Sequence, residues 1–230
     1  MSPRRSPQIV AIGGLGSEEE NRLLIDHVVA ATGRERPKTC LLPTATGDAA
    51  TAIVHLYELF AGRGASSHAV FHPWPPAGLR ERLLGSDIVC VSGGNTANML
   101  AIWRLHGVDS MLREAWESGV VLCGWSAGMI CWFEAGVTDS FGPELAGMAD
   151  GLGLLGWSAC PHYDGEERRR PVYQKLVADG FPAGYAADDC VALCFQGTEL
   201  TEVVSARDGS GAYQVEPGRE NALEARLLGG

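Results

Sequence analysis

The stretch Val120–Phe133, V-V-L-C-G-W-S-A-G-M-I-C-W-F, constrains the fold more than any other part of this chain. Four apolar residues, Val120 to Cys123, read as a strand buried on both faces, as in a parallel sheet. Gly124 and Gly128 then bracket Ser126 in a G-x-S-x-G pattern, and Ala127 to Phe133 has the make-up of a short buried helix. A strand that turns sharply into a helix forces the corner residue into a strained backbone conformation. A Cβ at either flanking position would collide with the neighbouring strand or helix, which is why glycine is wanted there. The corner side chain is left exposed beside the unpaired N–H groups of the helix start. Such a corner suits a nucleophile, and Ser126 is the candidate.

The rest of the chain reads as units that would build a sheet around that strand. Gln8–Gly13 is a first strand ending in G-G-L-G. Ser17 and Glu20 have the spacing of a capping box, and the pattern to Thr32 is helical. Further strands are expected at Cys40–Pro43, Ala69–Phe71 and Asp87–Val91, with helices over Ala52–Ala61, Leu79–Leu84 and Met111–Glu117. Gly93-Gly94-Asn95-Thr96 leads into one more helix, to about Leu105. Strands alternating with helices at this spacing mean right-handed βαβ units and a mostly parallel sheet flanked by helices. Ligands of such α/β sheets sit beyond the carboxyl ends of the strands, where Gly93-Gly94 and Ser126 both fall. After Pro161 a polar helix, Glu166–Ala178, precedes short alternating runs at Val191–Phe195, Glu202–Ala206 and Ala212–Val215. These read as antiparallel additions at one edge, so residues 1–230 are expected to form one domain with a β-rich end from about residue 190.

Composition narrows the partners. A formal net charge of −10 argues against nucleic acid or an anionic membrane surface. The opening M-S-P-R-R-S-P is basic, but the apolar run Ile9–Ile12 is too short for a signal-peptide core, and no run approaches a membrane span. A soluble, cytoplasmic protein is expected. Seven cysteines, most of them in apolar segments, form no C-x-x-C pair, and Cys190 and Cys194 have no histidine near them in sequence. Buried reduced thiols are expected, with no metal and no cofactor.

A serine hydroxyl needs a base, usually histidine, and the base needs an orienting carboxylate. Of six histidines, only His162 follows Ser126. It follows the apolar run Leu154–Cys160, in A-C-P-H-Y-D, and so lies at the carboxyl end of another expected strand. His27, His55 and His106 fall within or at the end of helices, where an exposed or satisfied histidine is expected. Gly156-Trp157-Ser158-Ala159 repeats the tetrapeptide at Gly124, but Cys160 and Pro161 replace the second glycine, so Ser158 reads as strand interior. For the acid, the order serine–acid–histidine would pick Asp139 or Asp150, and the order serine–histidine–acid would pick Asp188 or Asp189. Spacing leaves that choice open.

Taken together, V-S-G-G-N-T-A-N-M-L, G-W-S-A-G-M-I-C-W, T-D-S-F-G, P-H-Y-D and G-Y-A-A-D-D resemble the peptidase E (aspartyl dipeptidase) and cyanophycinase family of serine peptidases over about residues 8 to 197. The resemblance implies a class I glutamine amidotransferase-like (flavodoxin-like) fold, with serine where the amidotransferases carry cysteine. It implies Ser126 as nucleophile, His162 as base and an acid in the Asp188 region; Asp188 is taken as that acid, with Asp189 beside it. The family often has glutamate there. It further implies the backbone N–H groups of Gly94 and Ala127 as the oxyanion hole, each such donor being worth about 3 kcal/mol of transition-state stabilisation. Asn95 and Asp139 are implied at the substrate, Asp139 near its amine, and Arg168 as the cation for an N-terminal aspartate. The expected activity is that of a serine exopeptidase on short peptides, dipeptides with N-terminal aspartate in particular, working through an acyl-enzyme. The rivals are a broader or cyanophycinase-like hydrolase on the same fold and a non-catalytic amidotransferase-like binding protein. The oligomeric state stays open, a homodimer being among the options.

Overall fold

The computed structural model describes residues 6–230; the basic residues within the first five positions lie outside that range. Five strands, β1 (Gln8–Ile12), β2 (Lys38–Leu42), β3 (Ala65–His68), β4 (Ile88–Val91) and β5 (Val121–Trp125), run parallel in the spatial order β1-β5-β4-β2-β3. Their sequences explain the order. I-V-C-V and V-L-C-G-W are buried throughout and occupy the middle, where both faces are covered. The polar A-S-S-H of β3 is only partly buried and takes the edge. The expected third strand, Ala69–Phe71, therefore shifts: these apolar residues follow the strand, and Ala69 still donates to the Leu41 carbonyl at 3.0 Å.

Beyond β5 the chain starts a second sheet with β6 (Phe133–Thr138), β7 (Ala146–Met148), β8 (Leu155–Cys160) and β9 (Gly184–Ala187). It returns to the first sheet with β10 (Val191–Gln196) and β11 (Glu199–Ser205). It goes back to the second with β12 (Ala212–Glu216) and β13 (Arg219–Leu223), and β14 (Arg226–Leu227) closes the first. The first sheet is thus eight-stranded, β14-β11-β10-β1-β5-β4-β2-β3, and β10 pairs antiparallel with β1 in the register Val10↔Cys194. The second is six-stranded, β13-β12-β9-β8-β6-β7, with β6, β8 and β9 parallel. The antiparallel runs expected at one edge are divided between two sheets. The two sheets share one core, in which Phe195 of β10 sits 5.7 Å from Phe133 of β6 and 5.9 Å from Tyr185 of β9, both edge-on.

Helices cover both faces of the first sheet. Leu24, Ile25 and Val28 of α1 (Glu18–Ala31) pack with Leu56 of α2 (Ala50–Leu59) against Val10, Ile12 and Cys123. The opposite face is covered by α3 (Leu79–Leu84), α4 (Thr96–His106) and α5 (Val108–Glu117), whose Leu83, Trp103 and Leu112 have no exposed surface. Each such side chain is worth about 1.5–3 kcal/mol of burial. The capping box forms as the spacing predicts: Glu20 N–H donates to Ser17 Oγ at 3.3 Å, and Ser17 N–H to Glu20 Oε2 at 2.7 Å. After β5 comes the single turn α6 (Ala127–Ile130), shorter than expected because Phe133 is drawn into β6. The last helix, α7 (Arg169–Ala178), lays Tyr173 and Val177 on the second sheet. All seven cysteines are free. Among the described residues, no helix is long and apolar enough to cross a membrane.

Candidate active site

The corner between β5 and α6 holds Ser126 at φ 55° and ψ −111°, a conformation that L-residues avoid. The surroundings over-determine it. A Cβ at Gly124 would lie 2.5 Å from the Val91 carbonyl oxygen, and one at Gly128 would overlap the same atom. Ser126 N–H donates to the Ile12 carbonyl at 3.2 Å, and the Ser126 carbonyl accepts from Met129 and Ile130. Ser126 is half-buried at the start of α6, next to the Ala127 N–H, which has no carbonyl within its own helix to bond.

The loop after β4 closes over this corner. A Cβ at Gly93 would touch the Ser126 Cβ at 3.2 Å, and one at Gly94, where φ is 136°, would overlap the Ala45 carbonyl. Asn95 caps α4 by accepting from Asn98 N–H at 2.8 Å, and its Nδ2 donates to the Ser140 carbonyl at 3.0 Å. Ser140 Oγ in turn accepts from Thr96 N–H at 2.9 Å. Those bonds hold the segment after β6, and with it Asp139, against the loop.

His162 follows β8 and Pro161 at φ 53°. Its Nδ1 lies 2.7 Å from Asp189 Oδ1, so Nδ1–H donates to the carboxylate and Nε2 is left for the cavity. Asp189 is held from three sides. Its N–H donates to Asp164 Oδ1 at 2.9 Å, a Cβ at Gly165 would lie 2.5 Å from its Oδ2, and a Cβ at Gly14 would overlap Oδ1 and lie 2.6 Å from His162 Nδ1. The G-G-L-G after β1 therefore supplies the wall on which the His162–Asp189 pair rests; only a residue without a side chain fits there.

Gly94, Asn95, Ser126, Asp139, His162, Glu166 and Arg169 line one cavity of about 310 Å³. A larger one, of about 600 Å³, lies between the start of α1 and the end of α2 and holds no serine or cysteine. Serine and imidazole in the first cavity, with the Asp189 carboxylate on the far side of the imidazole and helix-start and glycine N–H groups beside them, are the components of acyl transfer.

Two sequence expectations are corrected. The neighbour of His162 is Asp189, not Asp188. Strand alternation at the end of β9 sends successive side chains to opposite sides, and Asp188 turns inward: it is 2% exposed, and its Oδ2 accepts from Gly211 N–H at 2.8 Å. Arg168 points outward, pairing with Glu144 at 2.7 Å and donating to the Pro143 carbonyl at 2.9 Å. The arginine at the cavity is Arg169, 3% exposed, whose Nε donates to Glu166 Oε2 at 2.7 Å and whose NH1 donates to the Val137 carbonyl at 2.9 Å. Arg169, Glu166 and Gly14 carry no local pattern that separates them from their neighbours. Ser158 is fully buried in β8, bonded to the Tyr173 hydroxyl at 2.7 Å and the Pro182 carbonyl at 2.6 Å.

The model of peptidase family S51 matches residues 9–203 of this chain. The chain is 45% identical over 224 residues, 96% of each protein, to a Bacillus subtilis protein named as the uncharacterized peptidase YgaJ. The chain belongs to peptidase family S51. It is accordingly a serine peptidase. A peptidase E from Shewanella denitrificans is 28% identical over 130 residues, 53% of this chain and 55% of that protein. Among solved structures, a peptidase from an acI-B1 actinobacterium superposes with a TM-score of 0.69 at 16% identity, over 96% of each chain. A putative peptidase E protein from Listeria monocytogenes superposes with a TM-score of 0.65 at 18% identity, over 85% of this chain and 97% of that one. At such identities the likeness is one of fold, here the class I glutamine amidotransferase-like arrangement of a largely parallel sheet between helices.

The inward turn of Asp188 has a measurable consequence. Burial, aided by the nearby Asp164 and Asp189 charges, raises its pKa from 3.8 to about 6, and Oδ1 has no hydrogen-bond partner. The folded chain then binds more protons than the unfolded one between about pH 4 and pH 6, so this group makes stability fall as pH rises through that window, by about 3 kcal/mol in all. Asp188→Asn is expected to remove that component. Urea midpoints for wild type and variant across the window check it; parallel pH curves would refute it.

Proposed function

We propose that this peptidase is an exopeptidase acting on short peptides through an acyl-enzyme, with Ser126 as nucleophile, His162 as base and Asp189 as the carboxylate that orients it. The observation that carries this reading is the convergence of Ser126, a His162 already paired through Nδ1, and three charged side chains in one small cavity. Ser126 Oγ attacks the peptide carbonyl as His162 Nε2 takes its proton, and the Gly94 and Ala127 N–H groups receive the developing oxyanion. His162 then protonates the leaving amine, and water releases the acyl group by the same steps in reverse.

The cavity supports the preference for short substrates. Its volume of about 310 Å³ is at the low end of small-ligand sites, about 300–1,000 Å³, and suits a few residues better than a polymer. Asp139 and Glu166 outnumber Arg169 in it, which favours a substrate's free α-amine. A first-residue carboxylate would be met by Arg169 rather than Arg168. Arg169 is already paired with Glu166, so Asp-X dipeptides are substrates but not exclusive ones.

Glu166→Gln tests that assignment. With the competing carboxylate gone, the ratio of kcat/KM for Asp-Leu over Leu-Leu should rise about fivefold, the equivalent of about 1 kcal/mol for a half-exposed charge. An unchanged ratio would remove Arg169 from the pocket for the first side chain. The activity itself is tested by a fluorophosphonate probe followed by a dipeptide library. A chain that takes no label and cleaves no dipeptide would be a binding protein on this fold.

A further inference from the structure

Cys194 lies in the middle of β10, opposite Val10 of β1 on one side and Glu202 of β11 on the other. Directly opposed residues of a ladder project from the same face of the sheet. Here that face carries α1, and His27 of α1 comes down onto both: its Nε2 is 3.3 Å from Cys194 Sγ and 3.9 Å from Glu202 Oε2. One donor atom from each of the three lies within 4.8 Å of the other two, and no other such histidine, cysteine or acid group occurs among the described residues. None of the three lines the Ser126 cavity.

We propose that His27, Cys194 and Glu202 form a binding site for one zinc-class divalent cation, separate from the hydrolytic cavity. A four-coordinate zinc ion with ordinary bond lengths holds its nitrogen, sulfur and oxygen ligands about 3.4–3.6 Å apart, and the two measured separations, 3.3 and 3.9 Å, fall on either side of that. The donor set selects the metal. A thiolate with an imidazole suits zinc or cobalt, whereas calcium and magnesium require oxygen ligands. Arg226 Nε donates to Glu202 Oε1 at 2.7 Å, which fixes the carboxylate and leaves Oε2 toward His27, as outer partners of metal ligands do. Glu202 is 38% exposed, so solvent reaches the site and water can take the fourth position. On binding, the Cys194 thiol loses its proton to solvent and the thiolate sulfur bonds the ion. The ion would tie α1 to the antiparallel edge of the first sheet. The same contacts without a metal amount to a thiol–imidazole hydrogen bond and a weak ion pair.

Cobalt distinguishes the two. The chelator-stripped 230-residue chain is titrated with Co²⁺ and then with Zn²⁺. One equivalent of cobalt should produce a thiolate-to-cobalt charge-transfer band together with the strong visible bands of a four-coordinate ion, and zinc should displace it and raise Tm. Cys194→Ser should lose the charge-transfer band. His27→Gln should weaken cobalt binding by more than about 100-fold, and Arg226→Gln by about 10–100-fold, the range for an outer partner. Dipeptide hydrolysis retained by each variant verifies that it has folded. No band in the wild-type chain, or a band that survives in Cys194→Ser, overturns the proposal.

Discussion

Ser126→Ala is expected to lower kcat by about 10⁶-fold, the loss typical of removing the nucleophile of a serine hydrolase, and to abolish fluorophosphonate labelling. The fold should survive. Serine and alanine carry the same Cβ, so the strain at φ 55° is unchanged, and the corner's backbone bonds to Ile12, Met129 and Ile130 do not involve the hydroxyl. Ser158→Ala is the control. It should keep its turnover but lose about 1–3 kcal/mol of stability, because the buried Tyr173 hydroxyl and the Pro182 carbonyl both lose a partner. If Ser126→Ala turned over dipeptides at near the wild-type rate, the proposed mechanism would fail at its first step.

The second large effect separates two adjacent aspartates. Asp189→Asn should reduce kcat by about 10⁴-fold with little change in KM, because the amide can present its N–H₂ to His162 Nδ1 and stabilise the wrong tautomer. Asp188→Asn should leave kcat within a few-fold of wild type and act on the pH dependence of stability, since that side chain faces Gly211 and the interior. Both variants are nearly isosteric, so a difference between them reads out position, not folding. Comparable losses at the two positions, or the larger loss at Asp188, would reject the pairing seen at 2.7 Å.

Much of the architecture is legible in short stretches. The apolar run before Gly124 reads as a strand covered on both faces, and β5 is buried throughout between β1 and β4. The capping box at Ser17 and Glu20, the glycines around Ser126 and the Gly93-Gly94 loop are local devices whose causes lie within a few residues. The choice of strand partner is not local. Val191–Phe195 and Ala212–Val215 look alike as alternating runs, yet β10 joins the first sheet and β12 the second. What separates them is which surface each finds to cover: β10 presents Phe195 to Phe133 and Tyr185, whereas β12 lays Val215 among Tyr163, Tyr173 and Ala186.

The same division runs through the site. Ser126, His162 and Gly94 can be picked from the sequence because a strand end or a glycine pair marks the carboxyl edge of the sheet, whereas Asn95 and Asp139 follow only from the family resemblance; all five line one cavity. Between Asp188 and Asp189, or Arg168 and Arg169, the sequence offers no preference: adjacent residues have the same composition around them and differ only in direction. The strand alternation of β9 and the first turn of α7 decide which side chain turns inward, and that depends on where the second sheet stands relative to the first. His27 and Cys194 show the same thing at long range, 167 residues apart in the chain and 3.3 Å apart in space. The alternation of strands and helices and the residue type at the elbow are legible in the chain, because these follow from backbone sterics and from solvent exclusion by near neighbours. Tertiary structure alone decided which carboxylate meets the histidine, which arginine meets the cavity and which distant side chains meet at all, because those are set by how two sheets and their helices share a core.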